Sequence, residues 1–168
     1  MIVGENGAGK STLLKIILGL IYPSGGTINT NNLQIAYVPE KINVPAFIKV
    51  GDFLQALADI KGGKSLDIDY YLDYWNISFA KNKSLNELSK GMLQKVIITQ
   101  AFLGKPEVFI FDEALNGLDK VMQKKLLELI AREKKKNKII LITSHYQDYY
   151  SDIVDKTLEI KNGLIWEN

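Results

Sequence analysis

Apolar positions along the chain fall into short continuous runs separated by stripes with helical spacing. Val108-Phe109-Ile110-Phe111 and Ile139-Ile140-Leu141-Ile142 are unbroken apolar runs, the pattern of strands covered on both faces of a parallel sheet. Leu13, Leu14, Ile16, Ile17 and Leu20 form a helical stripe that Pro23 and Gly25-Gly26 close. Asp52 to Lys61 reads as an amphipathic helix with Phe53, Leu54, Leu57 and Ile60 inward, ended by Gly62-Gly63. Leu66 to Trp75 reads as another, with Tyr70, Tyr71 and Tyr74 packing. A further helix opens at Leu88-Ser89-Lys90-Gly91-Met92, with Ser89 as N-cap, and runs to Phe102 before Gly104-Lys105-Pro106 stops it. Asp119 caps a helix over Lys120 to Lys135.

Short strands are predicted at Met1–Val3, Thr27–Asn29 and Ile35–Val38, the last two joined by an asparagine-rich turn. Thr157–Ile160 and Leu164–Trp166 straddle Asn162-Gly163, a hairpin signature. Strands alternating with helices predict an α/β fold with a mostly parallel sheet.

Composition narrows the function classes. A chain of 168 residues holds one ordinary core, and 46% hydrophobic with 24% charged residues is the balance of a globular protein. Lys plus Arg number 21 against 19 Asp plus Glu, so a net charge of +2 gives no electrostatic reason to expect a nucleic-acid partner. The run Arg132 to Lys138 reads as a solvated helix end, and the tyrosines, lacking interleaved cations, read as core or interface rather than a base-stacking platform. Without cysteine there is no disulfide scaffold or thiolate zinc site. The most apolar stretch, Leu13 to Ile21, is too short to span a bilayer and is interrupted by Lys15; no secretory signal pattern opens the chain.

Candidate chemistry begins at Gly4-Glu5-Asn6-Gly7-Ala8-Gly9-Lys10-Ser11, which fits G-x-x-x-x-G-K-[ST], a phosphate-cradling loop between a strand and a helix. Its glycines permit positive φ, so that successive N–H groups can face phosphate oxygens, and the helix that follows adds its dipole. Lys10 supplies a point charge for the β- and γ-phosphates and Ser11 a hydroxyl ligand for Mg²⁺. The strand Val108–Phe111 ends in Asp112-Glu113; downstream of a phosphate loop, a carboxylate there can hold Mg²⁺. His145, the only histidine, follows the C-terminal end of a buried strand, the edge at which open α/β sheets bind ligands.

Taken in order, these motifs resemble the nucleotide-binding domain of ABC-type ATPases, over essentially the whole chain. Gly4 to Thr12 resembles the Walker A motif, Val108–Asp112 Walker B, and Asn116-Gly117-Leu118-Asp119 the D-loop. Leu88-Ser89-Lys90-Gly91-Met92 resembles the signature motif LSGGQ, and the motif style is most similar to ATPase subunits of ABC-2-type exporters. The resemblance implies a P-loop NTPase fold with a RecA-like core over 1–168 and a small helical subdomain at 41–86, which docks a membrane partner. It implies ATP and Mg²⁺ as cofactors, with nucleotide held by residues 4–12, including Glu5, Asn6, Ala8 and Thr12, and metal by Ser11, Asp112 and Glu40. Glu113 stands in the place of the catalytic glutamate and His145 in that of the switch histidine; Lys10 and Glu40 complete the catalytic set. Ser89 and Gly91 would act across a homodimer or heterodimer interface on the other subunit's nucleotide. The implied partner is an integral membrane permease, placing the chain in the cytoplasm at the inner face of the membrane. The competing readings are a soluble ATPase of the same type acting on DNA or ribosomes, and a regulatory nucleotide binder.

This sequence also departs from the family pattern. Glu40 replaces the usual Q-loop glutamine, Lys90 and Met92 replace a glycine and the glutamine of the signature, and Ala114 replaces the proline after Walker B. The family's antiparallel β strands and adenine-stacking aromatic are not found ahead of Met1, so the expectation is an incomplete β subdomain. Residues 1–3 are then expected to be too short for a central sheet position.

Overall fold

The computed structural model describes residues 1–30 and 32–167. Its strands are β1 (Ile2–Val3), β2 (Ile35–Val38), β3 (Val108–Asp112), β4 (Ile139–Thr143), β5 (Leu158–Lys161) and β6 (Leu164–Glu167). Its α-helices are α1 (Lys10–Ile17), α2 (Val50–Lys61), α3 (Ser65–Tyr74), α4 (Lys90–Phe102) and α5 (Lys120–Lys134). They build a six-stranded sheet in the order β2-β3-β4-β1-β5-β6. All strand pairs are parallel except β5–β6, the predicted hairpin, whose turn places Asn162 and Gly163 at positive φ.

Alternation along β3 divides the interior. Phe109 and Phe111 enter the larger core, where Leu54, Leu72, Trp75 and Ile98 from the helices join Leu126 and Ile130 of α5. Val108 and Ile110 face the opposite way, meeting Leu14 of α1, Ile2 and Ile160. Every residue of β3 is buried, as a continuous apolar run requires. β4 departs from that expectation over its first three residues: Ile139 is exposed, and Ile140 and Leu141 are only half-buried. Among the described residues, α1 supplies the helical packing on that face, and eight residues do not reach the sheet's rim.

Five expectations are corrected. The two-residue β1 does occupy a central position, with Ile2 paired to both Thr143 and Leu158; strong strands on either side satisfy its backbone, so length is not limiting. Thr27–Asn29 forms no strand, and Ile28 is exposed; Asn31, in the asparagine-rich turn, lies outside the described residues. α1 stops at Ile17 because Gly19 takes φ 70°, with Gly19 N–H donating to Ile16 O and Leu20 N–H to Lys15 O, a Schellman closure that leaves Leu20 outside. On α2 the inward stripe is Val50, Leu54 and Ala58, whereas Ile60, six residues beyond Leu54, falls on the other flank and is 81% exposed. The tail of α5 is not wholly solvated: Glu133 is buried, and Lys134 Nζ donates to Ile153 O at 2.7 Å and to Asp155 Oδ1 at 2.6 Å.

Candidate functional site

The loop between β1 and α1 turns on glycine: Gly4, Gly7 and Gly9 have φ 148°, 83° and 109°, values that carry steric cost for other residues. A Cβ on Gly4 would stand 2.5 Å from the Ile160 carbonyl oxygen, so β5 forces glycine there as well. Lys10 Nζ lies back along the loop, donating to Gly4 O at 2.7 Å and Glu5 O at 3.0 Å. The ammonium is thus already at the cradle, on carbonyl partners that a phosphate can replace.

A hollow of about 220 Å³ opens beside this loop at the C-terminal ends of the central strands. Asn6, Gly7, Gly9, Lys10, Ser11 and Thr12 line one side; Glu40, Asp112, Glu113 and His145 line the other. Ten of the candidate residues therefore meet in one cavity, although β2, β3 and β4 bring theirs from distant parts of the chain. Glu5 and Ala8 line a neighbouring hollow of about 610 Å³ against Lys161 and Asn162 of the hairpin. Ser89 and Gly91 do not line the cavity. Ser89 Oγ accepts the N–H of Met92 at 3.2 Å as the N-cap of α4, and Gly91 abuts the Gly117 carbonyl. A hollow of about 460 Å³ lined by Tyr70, Tyr71 and Arg132 sits by Gly104–Pro106 and Lys138, at the opposite ends of the strands.

The two carboxylates differ in surroundings. Asp112 Oδ1 accepts from Thr143 Oγ1 at 2.5 Å, and Oδ2 from Tyr37 Oη at 3.4 Å. Glu113 takes φ 50°, a left-handed conformation costing a non-glycine residue about 1–3 kcal/mol. That backbone is held by its N–H, which donates to Thr143 O at 3.1 Å and to Thr143 Oγ1 at 3.2 Å. Glu113 Oε2 accepts the backbone N–H of His145 at 3.3 Å, while the buried Oε1 makes no hydrogen bond and lies 3.5 Å from His145 Nε2. From behind, Gln94 of α4 donates to Ala114 O at 3.1 Å, tying that helix to the Glu113 turn.

Burial, then the Asp112 carboxylate, push the Tyr37 phenol up to about 12, so it remains a hydrogen-bond donor at neutral pH. Burial and then the Glu113 charge push Tyr150 upward also. Thr143, Tyr37 and Gln94 are site residues that sequence reasoning did not single out. A threonine closing an otherwise apolar strand just ahead of His145 was a usable signal for a polar role, but its pairing with Asp112, like the contacts of the other two, depends on register and packing.

The donor set fits Mg²⁺. Ser11, Asp112 and Glu40 offer hard oxygens, and Mg²⁺ is held by one or two carboxylates together with substrate phosphates and water rather than by an all-protein cage. Among the described residues no group of three or more His, Cys, Asp or Glu could hold an ion by itself. Glu113, which lines the same hollow, has its Oε1 buried and without a hydrogen bond, a polar atom still lacking a partner.

Known proteins resemble this chain in sequence and in fold. A family model described as ABC transporter matches residues 1–116. An uncharacterised ABC transporter ATP-binding protein of Methanocaldococcus jannaschii is 34% identical over 166 residues, spanning 96% of this chain and 63% of its own length. The zinc import ATP-binding protein ZnuC of Haemophilus influenzae is 38% identical over 146 residues, spanning 86% of this chain and 54% of its own length. A solved structure of the ATP binding subunit of an ABC transporter superposes with a TM-score of 0.90 at 29% identity, covering 99% of this chain and 76% of that one. This chain thus spans between about half and three quarters of the length of these three proteins. By the family match and the shared fold, it belongs to the ABC transporter family, as a nucleotide-binding domain.

Proposed function

We propose that this chain is the ATP-binding and ATP-hydrolysing subunit of an ABC transporter, coupling hydrolysis at a subunit interface to translocation by a separate membrane permease. The observation that carries the reading is the single hollow shared by Lys10, Ser11, Asp112, Glu113 and His145. Lys10 and the loop amides hold the β- and γ-phosphates at the start of α1, where the helix dipole adds positive potential. Ser11, Asp112 and Glu40 hold the metal. Mg²⁺, when bound, neutralises charge building on the phosphate oxygens.

Glu113 accepts a proton from water as the water oxygen bonds to the γ-phosphorus; the bond to the bridging oxygen breaks, leaving ADP and inorganic phosphate. His145, in contact with Glu113 through both its backbone and its ring, senses the γ-phosphate and its loss. Arg132, the only arginine, lies in the hollow at the far end of the strands, so positive charge at the reacting phosphate comes from Lys10, the metal and helix ends.

Ser89 and Gly91, outside the chain's own cavity, act on the nucleotide of a second ATP-binding domain. The 41–86 segment is the surface for the permease, supported by the exposure of Phe47 and Phe79. No helix among the described residues is long and apolar enough to cross a membrane, and this reading assigns the spanning segments to the permease. The permease holds the chain at the cytoplasmic face. The test is Mg²⁺-dependent phosphate release from ATP by the purified chain, with and without membranes. A chain that neither binds ATP nor releases phosphate under either condition overturns the reading.

A further inference from the structure

Asp112 is gripped from the strands on both sides of it. β3 pairs with β4 on one edge and β2 on the other. Thr143 stands in register with Asp112 on β4, and its hydroxyl donates to Oδ1 at 2.5 Å. Tyr37 stands opposite Ile110 on β2, two residues short of Asp112 and so on the same face, and its phenol reaches Oδ2 at 3.4 Å.

The Thr143 hydroxyl is itself fixed, and Tyr37 is held through its backbone. Thr143 is fully buried and its Oγ1 also accepts the Glu113 N–H. The Tyr37 carbonyl accepts from Gln100 Nε2 at 2.7 Å, and Gln100 Oε1 in turn accepts from Lys61 Nζ at 2.5 Å. A carboxylate with one hydroxyl on each oxygen has its orientation set, and the lone pairs left over are those available to the hollow it lines with Ser11.

We propose that Tyr37 and Thr143 are positioning residues for Asp112, which together fix the carboxylate lone pairs presented to the metal of the bound nucleotide; this rests on the assignment of Asp112 as a metal ligand. Outer partners of a metal ligand commonly contribute 10–100-fold to metal affinity. The two hydroxyls differ in what else they touch. Removing the Thr143 hydroxyl also frees the Glu113 backbone, so it lowers both metal affinity and kcat. The Tyr37 hydroxyl bonds to Asp112, so removing it raises the metal requirement while kcat at saturating metal is retained.

The experiment is a Mn²⁺ titration, followed by electron paramagnetic resonance, of the full chain with a non-hydrolysable ATP analogue. The variants are Tyr37→Phe, Thr143→Val, Thr143→Ser and Asp112→Asn. The inference expects half-saturating Mn²⁺ to rise about tenfold in Tyr37→Phe and Thr143→Val. Thr143→Ser, which keeps the hydroxyl, stays near wild type, and analogue binding in EDTA is unchanged throughout. Tyr37→Phe keeps the ring and removes only the hydroxyl, so it decides the matter if Thr143→Val fails to fold. Mn²⁺ binding in Tyr37→Phe within about twofold of wild type, while Asp112→Asn weakens it, overturns the positioning role and leaves the metal assignment standing. Mn²⁺ binding indifferent to Asp112→Asn removes the metal assignment, and the positioning role with it.

Discussion

His145 and Glu113 meet twice: the histidine's backbone N–H donates to Glu113 Oε2 at 3.3 Å, and its ring Nε2 lies 3.5 Å from Oε1. One carboxylate oxygen is therefore held by the chain, while the other is buried beside the His145 ring without a hydrogen bond, on a residue that lines the hollow. A fixed orientation and an acceptor with no hydrogen bond of its own suit a general base.

Glu113→Gln keeps the volume and the backbone contacts but removes the proton acceptor. Turnover is expected to fall by about 10²–10⁴, with nucleotide binding intact. Phosphate release and equilibrium binding of ATP, measured on the same preparation, separate the two effects. Turnover at the wild-type rate would assign the base elsewhere.

Gly4→Ala meets two obstacles at once. Its φ of 148° is costly for any side chain, and the new Cβ would stand 2.5 Å from the backbone oxygen of Ile160, which β5 holds in the sheet. The strained backbone alone is expected to cost about 1–3 kcal/mol, before the clash is counted. Denaturant unfolding should show a lowered midpoint, and nucleotide affinity should fall because the loop's root moves. Gly7→Ala gives the contrast: nothing lies within 4 Å of its Cβ, so only the φ cost applies and stability should suffer less.

The parts of the site legible in the sequence are those written in contiguous residues. The glycine loop with Lys10 and Ser11, the Asp112-Glu113 pair at the end of an apolar strand, and His145 after another could all be identified before any contact was known. The N-caps Ser89 and Asp119 were legible for the same reason, since capping is decided within three residues. What joins the pieces was not. Thr143 is 31 residues from Asp112 and Tyr37 is 75 away, and only strand register brings their hydroxyls to its two oxygens. Ile60 and Leu20 were misplaced because an apolar residue near a helix end fits a stripe whether or not a neighbouring element reaches it.

Gly91→Ala sets two opposed effects against each other. In an ordinary helical position the change stabilises by about 1 kcal/mol. Here the added methyl would stand 2.9 Å from the Gly117 carbonyl oxygen, closer than such contacts allow without movement. The contact is expected to win, so that thermal stability does not rise and the Asn116–Asp119 turn shifts. A melting temperature raised as for an ordinary helix site would show that Gly117 yields freely.

Lys61 gives the fold a pH dependence with a definite sign. Its ammonium, half-buried at the end of α2, donates to Gln100 O at 2.7 Å and to Gln100 Oε1 at 2.5 Å, and burial lowers it from 10.5 to about 8. The unfolded chain therefore holds this proton up to about pH 10.5, whereas the folded chain releases it near pH 8. Below pH 8 the group is charged in both states and its desolvation opposes folding by a constant amount. Between about pH 8 and 10.5 the unfolded state binds the extra proton, so this group's contribution to stability rises with pH. Lys61→Met lacks the term, and comparison with it cancels the titration of every other side chain. The stability of wild type relative to Lys61→Met should increase across that window, by less than about 1.4 kcal/mol per pH unit because the side chain keeps partial contact with solvent. Denaturant midpoints of the two proteins from pH 7.5 to 10 measure it. A relative stability that falls with pH would mean that the bonds to Gln100 outweigh desolvation and hold the ammonium above its ordinary value.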